Sequence, residues 1–446
     1  MRPLSARQAE RRYLALSGLR WFATGLVFPV MVLLYTDRGL DLPAAGLLVA
    51  LYSGAVIALE LPTGGLADQL GRRGTLLLSG ALSVVGLTGL AFARTWWQFA
   101  AVALVSAAAR ALGSGPLEAW YVDTARAAAP DTVLRTGISR GWAVEALGLG
   151  LAATLGGWLP GLADGLRSGG VLSPFSVPAL AAAAVAAASL IAHAALVVEP
   201  GDIRRPRATG AAAMLRDVPA QIASGVRLSS SDPVVRLLML RMAAVGFAVA
   251  ALELLTPLQL AEMLGGADRA GLAFGVLATA AWLGSAAGSA AAPALCRAGT
   301  RVGLASPLST AAAGTALFGL GVALIGLAAA GPGGLALAAA GYVLSYVSGG
   351  VPGPLTTEAL HERVDAARRA TLISVGSLAL QLGCLVGSVA VARVAALAGY
   401  PYGWAAAAGA LLVAAALTVR AAARARRSQA APARSATEGS PAHQLS

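Results

Sequence analysis

The sequence predicts an all-α membrane protein whose twelve transmembrane helices form two six-helix pseudo-repeats. Three observations carry that fold class. Of the 446 residues, 57% are hydrophobic and 12% charged, whereas water-soluble domains are about 25% charged. Apolar runs long enough to cross a bilayer, which takes about 20 residues each, recur along almost the whole chain. The arginines collect in the short segments between those runs.

The first half opens with Arg2, Arg7, Arg11 and Arg12 ahead of an apolar run at about 13–35, α1. That run is too long for the apolar region of a cleaved signal. Hydropathy then places α2 at about 43–66, α3 at 74–93, α4 at 97–119, α5 at 138–160 and α6 at 175–197. Residues 199–233 interrupt the pattern with Pro200, Asp202, Arg204, Arg205, Pro206, Arg207, Arg216 and Asp217, a composition that lipid does not admit. This is a linker, and its stretch from Ala212 to Leu228 reads either as a surface-lying amphipathic helix or as a plain solvated chain.

The second half holds α7 at about 237–260, α8 at 270–294, α9 at 302–328, α10 at 334–352, α11 at 371–396 and α12 at 402–423. The domain reading is therefore 1–198 for one half, 199–233 for a cytoplasmic linker, 234–424 for the other half, and 425–446 for a polar, disordered cytoplasmic tail.

With the N-terminus in the cytoplasm, 25 arginines fall in cytoplasmic segments, and Arg38, Arg94, Arg167 and Arg269 fall outside. The positive-inside rule fixes the orientation from that bias, with both termini cytoplasmic. The same distribution excludes other classes. All 33 basic residues are arginine, so the lysine of a phosphate-cradling nucleotide loop is missing. The net charge of +12 is spread over membrane-flanking segments rather than gathered on one soluble face, which argues against nucleic acid. Cys296 and Cys384 lie far apart in or beside apolar runs, as buried thiols rather than a disulfide framework. Three histidines, two of them outside the spans, give no basis for a metal site, and no cofactor is expected.

The halves carry a weak internal repeat. Gly115-Pro116-Leu117-Glu118 ends α4 and Gly353-Pro354-Leu355-Thr356 ends α10; Arg135-Thr136-Gly137-Ile138-Ser139 follows the first and Arg369-Ala370-Thr371-Leu372-Ile373-Ser374 the second. Duplicated halves around a central site are an architecture common among secondary transporters.

Between α2 and α3 the chain reads Gly64-Gly65-Leu66-Ala67-Asp68-Gln69-Leu70-Gly71-Arg72-Arg73-Gly74-Thr75. This resembles the signature loop of the major facilitator superfamily, with both glycines, the acid and the arginine pair at the family's spacing. Gly64 would let a neighbouring helix approach closely, and the Asp68 carboxylate suits the positive end of another helix. The resemblance implies that this end is the start of α11 near Ala370 and Thr371, and that Arg72 pairs with an acid at the end of α4, which Asp123 matches. Glu60-Leu61-Pro62-Thr63-Gly64 and Glu118-Ala119-Trp120-Tyr121-Val122-Asp123 are similar to segments of bacterial drug-efflux-like or uncharacterised permeases. Arg110-Ala111-Leu112-Gly113-Ser114-Gly115 looks like a shifted form of the family's arginine-and-glycine motif. In α5, Ala152-Ala153 stands where exporters of the family carry a glycine-proline pair, so the antiport signature is incomplete. The counterpart loop in the second half, near Arg297 to Arg301, lacks its acid.

An ionisable group inside a span costs roughly 2.5–3.5 kcal/mol on insertion scales, so each one is a functional candidate or a paired structural group. Arg20 of α1, Glu60 of α2, Arg110 of α4 and Glu145 of α5 fall in the cytoplasmic halves of their spans. Arg110 and Glu145 sit on sequential antiparallel helices at similar depth and are expected to meet, as a static ion pair or as a substrate or proton site. Glu253 of α7 stands alone near mid-membrane with Gln381 of α11 as its nearest polar candidate, either a proton carrier or a solvated cavity acid. His193 reads as a packing residue, and Gly284 to Gly288 and Gly383 to Gly387 read as small-residue ridges for close helix contact. Trp21, Phe22, Trp142, Phe247, Trp282 and Tyr346 are aromatic residues for packing or for a cavity.

The resemblance implies a monomeric secondary transporter of the bacterial cytoplasmic membrane. It would move a small organic molecule by alternating access, in the export direction and against protons. An uptake permease of the same fold is the first alternative, and a non-transporting sensor or enzyme the second.

Overall fold

The computed structural model describes residues 4–166, 171–198, 227, 230–301, 303–304, 306–328, 331–363 and 366–435, with the backbone alone at 61–69, 164, 332, 366–371 and 428–435. Most of the predicted linker and residues 436–446 lie outside the described residues.

Twelve helices are long and apolar enough to cross a membrane: α1 Ala6–Asp37, α2 Leu42–Glu60, α3 Leu70–Phe92, α4 Trp96–Ala128, α5 Leu134–Leu162, α6 Ser176–Leu196, α7 Pro233–Leu264, α8 Ala267–Arg301, α9 Pro307–Leu327, α10 Gly333–His361, α11 Leu372–Ala398 and α12 Tyr400–Arg427. Several starts are capped by side chains. Ser5 and Gln8 form a capping box ahead of α1, as Thr95 and Gln98 do ahead of α4. The Asp41 carboxylate accepts from Ala44 N at 2.8 Å at the head of α2. Asp232 accepts from Val234 N at 2.6 Å and Val235 N at 3.2 Å at the head of α7. These bonds satisfy amides that a helix start otherwise leaves open.

Three spans are broken where hydropathy predicts continuous rods. In α1 the helix ends at Val27 and restarts at Met31, around Pro29, whose missing N–H removes a rung of the ladder. In α4 the break falls at Ser114 and Gly115, with Gly115 at φ 91 and Pro116 opening the next segment. In α10 it falls at Val351 before Pro352. The α4 break falls at Gly115-Pro116-Leu117 itself, whereas the α10 break precedes Gly353-Pro354-Leu355, which lies within the restarted helix Pro352–His361.

Two further boundaries differ from the sequence reading. The backbone is helical from Leu42 through Phe92, and the reversal between α2 and α3 is made at Gly71 alone, at φ 75 and ψ 167. A side chain at that φ would be strained. The last helix continues to Ser435, past the predicted boundary at Arg424. Alanine and arginine, both strong helix formers, dominate the segment from Arg420 to Arg427 and carry the helix onward.

Because the helices alternate in direction, one face of the bundle carries the ends Ala6 and Arg427 and the other carries the α1–α2 turn. On that far face a single apolar cluster joins both halves, from Leu26, Val30 and Leu33 of α1 to Leu252 and Leu255 of α7, Phe274 of α8 and Trp404 of α12. Toward the terminal face the clusters separate. One around Tyr13, Trp120 and Tyr121 belongs to the first half, and those around Val234, Ala292 and Met239 belong to the second. The halves are therefore joined by apolar packing at the far face, and toward the terminal face a cavity lies in the first half where Ser377 of α11 meets it.

Glycines set the close approaches. An ideal Cβ on Gly157 would sit 2.1 Å from Gly271 O, and one on Gly275 would sit 2.3 Å from Ala153 O, so α5 and α8 touch backbone to backbone across the halves. The ridges read from sequence behave alike: a Cβ on Gly288 would meet Val347 O at 2.0 Å, and one on Gly383 would meet Ala243 O at 1.9 Å. Across the α5–α8 seam, Thr279 Oγ1 lies 2.9 Å from Thr154 Oγ1 and donates to Gly150 O at 2.6 Å. His193 is buried with its Nδ1 2.7 Å from Ser189 O, inside helix packing.

Candidate functional site

The cavity has a volume of about 290 Å³ and opens among α1, α2, α4, α5 and α11. Four site residues named from the sequence, Arg20, Glu60, Arg110 and Glu145, line it together. The wall between Arg110 and Glu118 is the broken stretch of α4, where Gly115 turns the chain so that the helix restarting at Pro116 carries Glu118 in its first turn.

Arg20 is anchored rather than free. Its Nη1 donates to the Gly113 carbonyl oxygen. A Cβ on Gly113 would collide with the guanidinium and come within 2.7 Å of Ser79 Oγ, so glycine is what makes room for the cation in the α1–α3–α4 wall. Glu145 is the acid whose charge acts on Arg20. Ser17, Trp21, Glu118 and Tyr13 are also neighbours of that carboxylate.

The expected meeting of Arg110 with Glu145 is not what the structure forms. Arg110 faces the Tyr52 hydroxyl of α2 and the charge of Glu253 in the opposite half. Sequential helices put the two residues at similar depth, but Arg110 has Tyr52 and Glu253 as neighbours and Glu145 has Ser17, Trp21 and Arg20.

Glu253 is likewise not isolated. Tyr52, Tyr342, Tyr346 and Cys384 all lie within its electrostatic reach, together with Arg110. Tyr342 and Tyr346 pack with their rings tilted at a centroid separation of 5.0 Å. Gln381 is buried and makes no hydrogen bond to Glu253 among the described residues. Hydropathy located Glu253 at mid-span; the tyrosines come from α2 and α10, and only the packing of the bundle brings them to it.

Glu60 reaches across the halves, accepting from Ser377 Oγ of α11 at 3.1 and 3.3 Å. Near the terminal face, Arg72 Nε lies 3.8 Å from Asp123 Oδ2, with side-chain exposures of 33% and 43%. Arg73 donates to the Ala194 carbonyl oxygen of α6 at 2.8 Å. Gly64 and Asp68 lie on helical backbone whose side chains are outside the described set, as are Ala370 and Thr371.

The sequence reading missed Glu118 as a cavity residue. It falls at the edge of the predicted span, and the available signal was the Gly115-Pro116 pair, which breaks a helix just before it. Of the six aromatic candidates, Trp21 and Trp142 line the cavity, whereas Trp282 packs on Phe28 at 4.9 Å.

The profile described as Major Facilitator Superfamily matches residues 14–388. No curated protein matches the chain. Among solved structures, the nucleoside transporter NupG superposes with a TM-score of 0.72 at 14% identity, covering 93% of this chain and 98% of its own. The peptide transporter POT in complex with sulfate gives 0.71 at 16% identity, covering 94% of each chain. A POT family transporter in complex with 5-aminolevulinic acid gives 0.68 at 15%, covering 92% of this chain and 95% of its own. At these identities the likeness is one of fold.

Proposed function

The chain belongs to the major facilitator superfamily, and on that premise we propose that it is a monomeric secondary active transporter that moves a small organic molecule across the cytoplasmic membrane by alternating access. The observation that carries the reading is a cavity with charged walls, lined by the first half and by Ser377 of α11, on the side where the apolar clusters of the halves separate, against one apolar cluster that joins the halves at the far face. A seam closed at one end and parted at the other is one of the two states that alternating access requires.

Export coupled to protons is the proposed direction. Its support is the similarity of Glu60 to Gly64 and Glu118 to Asp123 to segments of drug-efflux-like permeases. Glu253, an acid within the central bundle facing Arg110 across the halves, is the proposed proton site. An acid in such a place couples to the conformational cycle when its charge is favoured in one state and disfavoured in the other.

The experiment uses purified protein in oriented vesicles and a panel of fluorescent organic cations, anions and neutral compounds under an imposed pH gradient. Glu253→Gln, which mimics the protonated acid, is expected to keep substrate exchange while losing at least tenfold of gradient-driven accumulation. Accumulation equal to the parent's would make Glu253 a solvated cavity acid and turn attention to Glu145 and Glu60. Accumulation in the import direction would replace export with uptake.

Both termini and the Arg72–Arg73 turn are proposed to be cytoplasmic, on the arginine bias. A membrane-impermeant thiol label applied to intact cells is expected to miss a cysteine introduced at Ser428 and to modify one at Gly170. The reverse pattern would invert the topology.

A further inference from the structure

We infer that the cavity takes an organic cation, with its positive centre between Glu118 and Glu145 and its apolar body against the indoles of Trp21 and Trp142. The inference rests on the reading of this cavity as the substrate site and names the class of molecule it admits.

The charges on the wall do not cancel where a ligand would sit. Arg20 and Arg110 face Glu60, Glu118 and Glu145 around one cavity. Both arginines are committed. The Arg20 guanidinium is lodged in the wall against the Gly113 carbonyl oxygen, in space that a Cβ on Gly113 would fill. Arg110 is directed at Tyr52 and at Glu253 in the other half. Glu60 accepts from Ser377. Glu145 shares the charge of Arg20 and has Glu118 beside it.

Glu118 is the acid left over. Among the described residues the titratable groups acting with it are the neutral Tyr13 phenol and Glu145, a charge of like sign. Its one local compensation is the start of its own helix segment, Pro116–Ala128. A helix N-terminus supplies about half a positive charge, against a full negative one on the carboxylate. Two acids facing each other across a partly dry cavity are relieved by a cation placed between them.

The aromatic surface says what kind of cation. Trp142 lies three residues before Glu145, hence on the same helix face, and its side chain is 61% exposed while lining the cavity. Trp21 approaches Glu145 from α1. An indole is the strongest aromatic partner for a cation and also offers a flat apolar face. A hydrated metal ion uses neither face, whereas a protonated amine or a quaternary centre with hydrophobic substituents uses both. The volume of about 290 Å³ lies at the lower end of ligand pockets, roughly 300–1,000 Å³, which suits a compact molecule of this type.

Tetraphenylphosphonium and tetraphenylborate make the test, since they share size and shape and differ in the sign of charge. Binding to the purified full-length protein is read from tryptophan fluorescence and from ligand-induced shifts in melting temperature, against protein-free micelles. The phosphonium is expected to bind at least tenfold tighter than the borate. Glu118→Gln and Glu145→Gln are each expected to weaken phosphonium binding about tenfold while leaving the borate unchanged, and Trp142→Ala to weaken both ions. Variants are compared only where the ligand-free melting temperature matches the parent's, and Glu118→Asp is expected to restore part of the preference.

A preference that is absent, reversed or insensitive to both acid substitutions overturns the inference. Transport is read separately, in the vesicles described above. Phosphonium binding without accumulation of any compound keeps the cation site and sinks the transport reading, whereas accumulation of anions alone keeps transport and sinks the cation site.

Discussion

Gly157→Ala and Gly275→Ala are each expected to lower transport more than tenfold while leaving the two halves folded. The reason lies in the α5–α8 seam. A methyl at Gly157 would sit 2.1 Å from Gly271 O and one at Gly275 2.3 Å from Ala153 O, both backbone contacts that no rotamer change relieves. The helices would have to part, and overpacking of this kind costs roughly 1–3 kcal/mol. That is about a 5- to 150-fold shift against the state in which the far face is sealed.

A comparison inside one half shows whether the seam is the cause. A Cβ on Gly156 would sit 1.9 Å from Leu26 O, in the α1–α5 contact within the first half. Gly156→Ala is therefore expected to lower the melting temperature, whereas Gly157→Ala acts mainly on the balance between states. A cysteine at Val30, which is 1% exposed and packs toward Gly271, reports the difference. Placed in a chain without Cys296 and Cys384, it should stay protected from an impermeant thiol reagent in the parent and become reactive with Gly157→Ala. Parent-like transport together with continued protection of that cysteine would show that this contact does not hold the far face shut.

Much of the bundle is written in the sequence because membrane insertion leaves so few choices. Each apolar run that spans the bilayer must be a helix, so all twelve were legible, whereas the reversal at Gly71 alone was not: hydropathy showed only a polar stretch between α2 and α3. The breaks were half legible. Pro29 and Pro116 mark them, but hydropathy reads through a proline without a pause.

What stayed hidden is which side chains meet. Arg20 on Gly113, Arg110 turned toward Glu253, and Glu118 beside Glu145 depend on how each helix is rotated and tilted. A helix that is apolar nearly all round carries no moment from which to read its rotation. The Arg72–Asp123 approach was named in advance because a family motif, rather than periodicity, supplied the pairing.

That approach leads to the second large effect. Asp123→Asn and Arg72→Ala are each expected to slow transport at least tenfold with little change in melting temperature, and Asp68→Asn to act in the same direction. At 3.8 Å, with side-chain exposures of 33% and 43%, the pair is a surface ion pair, and pairs of this kind contribute about 0–1 kcal/mol to stability. A purely structural role would therefore leave both stability and transport nearly unchanged. A role in switching differs, because a contact made in one state and lost in the other changes the rate of interconversion without being strong in either. Arg72 follows directly on the Gly71 turn and Arg73 is tied to α6 through the Ala194 carbonyl, which anchors the turn beside Arg72. The double variant Arg72→Ala with Asp123→Asn should then cost less than the two single losses added, since one network is removed once. Additive losses would assign the residues independent roles, and parent-like transport by Asp68→Asn would remove Asp68 from the gate.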